Sequence, residues 1–128
     1  MEKKIKIKIT SISTDNPVNV IKGVGSYREK DGKVLITHTD GENNKTSMII
    51  TEGRVLLIRR SPFYTLKIPV EPQEKLLGLM GEENTFTVIG KTAEFQKNDK
   101  YGRVYLEYTL PDLAEKSTDF KIEAEFSF

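Results

Sequence analysis

Apolar and polar residues alternate along most of this chain. From Lys4 to Ser13, Ile5, Ile7 and Ile9 share one parity while Lys4, Lys6 and Lys8 share the other. That is the period-two pattern of a strand with one dry and one wet face, and a helix would scatter the isoleucines around its circumference. Val104, Leu106, Tyr108 and Leu110 alternate in the same way with Arg103, Tyr105, Glu107 and Thr109. So do Phe120, Ile122, Ala124 and Phe126 with Lys121, Glu123 and Glu125. The alternation predicts that Ile5, Ile7, Ile9, Val104, Leu106, Ile122 and Phe126 are buried, with the intervening Lys and Glu in water.

A different pattern occupies Gly53 to Pro69. Val55, Leu56, Leu57 and Ile58 form an unbroken apolar run, which predicts a strand covered on both faces. Arg59-Arg60-Ser61-Pro62 interrupts the run. Tyr64, Leu66 and Ile68 then take one face and Phe63, Thr65 and Lys67 the other, with Pro69 and Pro72 expected to end the second strand. Two strands folded at Ser61-Pro62 fit this stretch, because a single helix would carry Pro62 in its interior at a cost of about 3 kcal/mol.

Turn residues divide the rest. Thr14-Asp15-Asn16-Pro17 predicts a turn before a strand over Val18 to Glu29, in which Gly23 and Gly25 suggest a bulge or sharp bend. Asp31-Gly32 is a tight-hairpin signal. Strands over Val34 to Thr39 and Lys45 to Glu52 flank the turn at Asp40 to Asn44. Lys75 to Met80 fits a short strand or a helical turn. Thr85 to Gln96 fits one long strand or two bent at Gly90, and 112–115 could hold one helical turn. The sum is a single domain over 1–128, all-β, with eight to ten short strands and tight hairpins. An up-and-down meander of this kind closes most readily as a barrel and so removes its edge strands.

Composition excludes several functions. The 128 residues include no cysteine, hence no disulfide framework and no thiolate chemistry. The formal net charge is +1, without the basic excess of a dedicated nucleic-acid binder. No apolar run reaches the roughly seven residues of a signal peptide or the roughly 20 of a membrane span. The expectation is a cytoplasmic protein with no nucleic-acid or membrane partner. Outward residues of 48–50 and 55–58 should form an apolar patch. A second chain, in a homodimer, or the 75–80 segment would cover it.

Candidate chemistry is sparse. His38, the one histidine, shares a face with Val34 and Ile36. It lacks the second histidine or cysteine that a metal site wants, and it reads first as a half-buried strand residue. Glu123 with Glu125, and Glu107 with Arg103, read as the solvated face of a strand. Arg59 and Arg60 are the most informative charges. One of them at a barrel mouth could hold a carboxylate or phosphate in a bidentate way, and the plainer alternative is a solvated turn or a salt bridge across the barrel end. The spread of aromatics suits core and girdle positions better than a base-stacking platform.

The succession VLLIRR, LKIP, ENTFTVIGKTAEFQ, YGRVYLEYTL and an alternating last strand resembles the YwiB-like family of small uncharacterised bacterial proteins. That resemblance, from Ile5 to Phe126, implies a calycin (lipocalin-like) β-barrel. Arg59 falls at the arginine that ends the family's central strand, and Gly102 and Tyr108 fall in its Gly-x-x-x-x-x-Tyr strand. The chain departs from the pattern at Arg60-Ser61-Pro62 and at the turn before Thr85. The family brings no established activity. The expectation is therefore a non-enzymatic binding module, without cofactor or metal. A small, partly apolar ligand would sit in or at the mouth of the barrel, with Arg59, Arg60, Tyr64, Tyr108 and His38 as candidate contacts. The alternative is an interaction or structural domain whose barrel is filled by side chains.

Overall fold

The computed structural model describes residues 2–15, 18–111 and 117–128. Ten strands follow one another: β1 (Glu2–Ser13), β2 (Asn19–Lys30), β3 (Lys33–Thr39), β4 (Lys45–Thr51), β5 (Arg54–Arg60), β6 (Thr65–Val70), β7 (Lys75–Met80), β8 (Asn84–Lys97), β9 (Tyr101–Leu110) and β10 (Thr118–Ser127). Each pairs antiparallel with the next, and β1 pairs with β10, so the meander closes into a barrel. The described residues contain no helix. The expected helical turn at 112–115, and Asn16-Pro17 of the first turn, lie outside the described residues.

The alternating stretches point as their pattern requires. Ile5, Ile7 and Ile9 are buried while Lys4, Lys6 and Lys8 are exposed, and Val104, Leu106, Ile122, Ala124 and Phe126 are buried across the neighbouring strands. Turn chemistry fixes the register: Asp31 and Gly32 both take positive φ, 53° and 77°, as a two-residue hairpin loop with the right twist demands. The 75–80 segment is a strand, and 84–97 is one strand with a register shift between Gly90 and Thr92.

Three local expectations are corrected. Gly23 and Gly25 carry no bulge, since the β1–β2 register runs unbroken through both. Their lack of a side chain serves close approach instead: a Cβ on Gly25 would lie 2.2 Å from the Thr37 carbonyl oxygen. Pro69 does not end its strand, because β6 continues to Val70 and Pro69 sits buried opposite Leu56. It is tolerated because β6 pairs with β7 only at Leu66 and Lys67, so beyond that point a missing N–H breaks no ladder. The Val55 to Ile58 run is covered on one face only, with Val55 and Leu57 buried inside and Leu56 and Ile58 half-buried outside.

Inside, the middle of the barrel is packed. Leu57, Val70, Val88, Val104, Leu106 and Ala124 have no accessible surface, β5 and β6 both approach β8, and β6 also approaches β9. Outside, Leu35, Ile49, Leu56 and Pro69 stand directly opposite one another on four successive strands, so the expected apolar row exists.

Candidate functional site

The chain leaves β1, β3, β5, β7 and β9 at one end of the barrel, which is the end at which five of its nine inter-strand connections begin. The inward residues nearest that end differ in character from the packed middle. On β5, Val55 and Leu57 point inward, and parity makes Arg59 the next to do so. On β3 the same parity brings His38 inward after Val34 and Ile36. The pairing then sets one inner row across six strands: Gly25, His38, Thr46, Arg59, Leu66 and Met80. Half of this row is polar and half is apolar.

Arg59 is the centre of the site. Its Nη2 donates to Ser11 Oγ at 3.5 Å, a bond at the outer limit of useful length. Ser11 belongs to β1, four strands away around the ring, so the arginine reaches across the opening and not along its own sheet. Its Nε–H is buried and has no hydrogen-bond partner. No carboxylate forms an ion pair with it among the described residues. The positive charge acts on Tyr108, whose hydroxyl is pushed up to about 12 by burial while Arg59 pulls it back. The Tyr108 ring is held flat against Phe120, with centroids 5.2 Å apart and planes at 14°.

His38 is deeper than a half-buried position: only 6% of it is exposed. Its Nδ1 lies 2.9 Å from the Val24 carbonyl oxygen, so Nδ1–H donates there and the other ring nitrogen is set free. That Nε2 is buried and has no partner. Gly23 makes room for the ring, since a Cβ at that position would come 2.5 Å from His38 Cε1.

The structure thus brings Arg59 within electrostatic reach of Tyr108, sets His38 in the same inner row as Arg59 with Thr46 between them, and does not place Arg60 or Tyr64 in that row. Arg60 is exposed, one residue out of phase with Arg59 and opposite Lys45. Tyr64 lies in the 61–64 turn before β6 begins, 52% exposed, where its carbonyl accepts from the Ser61 N–H at 2.9 Å. Ser11 was absent from the candidates although it continues the parity of Ile5, Ile7 and Ile9. Phe63 was also absent. At 92% exposed it gives the same end an apolar lip.

Chemically the mouth offers a guanidinium, hydroxyls and an imidazole nitrogen facing an apolar wall. No group of three His, Cys, Asp or Glu among the described residues could hold a metal ion. No helix among them is long and apolar enough to cross a membrane.

Comparison with known proteins gives a fold and no more. No family model matches the chain, and no curated protein matches it. Among solved structures, the YwiB protein of Bacillus subtilis superposes with a TM-score of 0.78, covering 98% of this chain and 92% of that one at 15% sequence identity. The similarity is one of barrel architecture.

Proposed function

We propose that this chain is a non-enzymatic binding module whose barrel mouth takes a small, partly apolar ligand with an anionic head. We read the barrel as calycin-like and place the chain with the YwiB-like proteins. One observation carries the functional reading: Arg59 holds a guanidinium across the mouth with a buried Nε–H and no carboxylate beside it. Burying such a donor unpaired costs free energy, and an anion bound from outside would supply the missing partner through two parallel N–H bonds. The buried, unpartnered Nε2 of His38, left as an acceptor by the Nδ1–H bond, would take a hydrogen bond from a donor on the body of the ligand and not from its anionic head. Leu66 and Met80, beside Arg59 in the inner row, together with exposed Phe63, offer the apolar body of a ligand somewhere to lie. The head is a carboxylate or phosphate, and the body is a short chain or ring that rests on the lip without entering the packed middle.

The packed mid-barrel favours a second reading, an interaction domain with no small ligand. Native mass spectrometry of the protein expressed in its own host separates the two. A bound mass of a few hundred daltons that Arg59→Met abolishes is the outcome expected of the binding module. A co-purified polypeptide with no small mass would instead select the interaction domain.

A further inference from the structure

On the outside of the barrel, away from the mouth residues, β2, β1, β10, β9 and the end of β8 form an open trough of about 980 Å³. Its lining carries Lys6, Lys8, Lys22, Lys97 and Arg103 against one carboxylate, Glu125. The whole chain has a formal net charge of only +1, so the surface outside the trough is acidic on balance. The cations are concentrated here.

Their placement runs against what strand pairing favours. Lys8 and Lys22 are directly opposite across β1 and β2, where like charges repel, and Glu125, opposite Lys8 across β10, is the one carboxylate beside them in the trough. Lys6 is the next outward residue of β1. None of the three forms an ion pair among the described residues. Arg103, by contrast, is neutralised by Glu123 at 2.7 Å, and Lys97 pairs with Glu29 at 3.8 Å. Glu125 is held above the ordinary carboxylate range by its hydrogen bond with Glu123, which weakens the one acid in the trough. Two exposed apolar residues sit among these charges, Val24 and Tyr101.

We propose that this trough docks an extended, acidic peptide segment of a partner protein. The dimensions fit. Five adjacent strands span four spacings, roughly 19 Å, which an extended chain covers in about six residues. Carboxylates of the segment meet Lys6, Lys8 and Lys22 and relieve their mutual repulsion, and separate apolar side chains rest on Val24 and on Tyr101, three strand spacings apart. A single-stranded nucleic acid fits less well, since the trough presents one exposed aromatic where base stacking wants a series of them. The site is independent of Arg59 and of the mouth.

The test is fluorescence anisotropy with a labelled hexapeptide of alternating glutamate and leucine, its glutamine counterpart, and a six-nucleotide single strand of DNA. The glutamate peptide should bind saturably and weaken with added salt. Lys22→Glu should weaken it by about tenfold or more, while Lys45→Glu on β4 and Arg59→Met leave it unchanged. Lys22→Glu should also raise the thermal midpoint, because a glutamate then faces Lys8. A variant that lost binding through unfolding would lower it. Absence of saturable binding, equal binding of the glutamine peptide, tighter binding of the DNA, or an equal loss in Lys45→Glu overturns the proposal.

Discussion

Replacing Arg59 with methionine should make the protein more stable. The side chain brings a buried Nε–H without a partner, and an unsatisfied buried donor costs about 1–3 kcal/mol. Against that stands its one hydrogen bond, to Ser11 Oγ at 3.5 Å, which at this length is worth no more than about 0.5 kcal/mol. Methionine keeps most of the aliphatic stem that packs beside Leu66 and removes the guanidinium. Arg59 is only partly buried, so its charge retains some water and the full cost of burying an ion does not apply. The net expectation is a gain of about 1–2 kcal/mol, or roughly 3–8 °C in thermal midpoint for a chain of this size. Circular dichroism melts of the two proteins at neutral pH measure it. A gain would identify Arg59 as a residue kept at the expense of stability, the usual mark of a binding site. A variant melting several degrees below the parent would refute the reasoning and make Arg59 a structural tie between β5 and β1.

Three further outcomes are expected. Ile7→Ala, in a site 4% exposed, should cost about 2–5 kcal/mol in urea denaturation; an unchanged midpoint would show a loosely packed wall. Asp119 is held below the ordinary carboxylate range, first by the Thr109 hydroxyl that donates to it at 2.6 Å and then by Lys91. A depressed carboxylate stabilises above its unfolded pKa of about 4 and loses that effect as the pH falls. Asp119→Asn should therefore lower the midpoint at pH 7, with a deficit that shrinks as the pH falls below about 4, and a deficit that stays constant as the pH falls would exclude the electrostatic cause. Finally, the outer row of Leu35, Ile49 and Leu56 should hold two chains together at micromolar concentration. Light scattering should report a dimer that Leu56→Glu dissociates, and a monomeric parent would contradict this.

Strand positions and inward faces were legible wherever apolar residues alternated, because parity is set by the pleat and not by distant contacts. Ile5 to Ile9 and Phe120 to Phe126 are of this kind. The Val55 to Ile58 run hid its parity, so Arg59 and Arg60 could not be told apart until Leu57 was seen to point inward. Ser11 was legible from the isoleucines before it, whose parity it continues. Pro69 depended on how far β6 pairs with β7, a property of the neighbour. Gly23 signals a bulge or a close approach equally well in sequence, and only the His38 ring above it decides. The trough was illegible for a similar reason: Lys6 and Lys8 read as an ordinary wet face, and the repulsive partner Lys22 is supplied by register across a turn.

The central claim is that Arg59 holds an anionic head at the barrel mouth, and its Nε–H reports on this directly. The chain has five arginines, few enough for their Nε–Hε signals to be resolved by nitrogen-15 NMR and assigned by substitution. Titration with octanoate, a carboxylate on a short apolar chain, should shift the Arg59 signal saturably while those of Arg28, Arg54, Arg60 and Arg103 stay in place. Arg59→Met should abolish the binding. An Arg59 signal that stays put, or five arginines that drift together, would contradict the account.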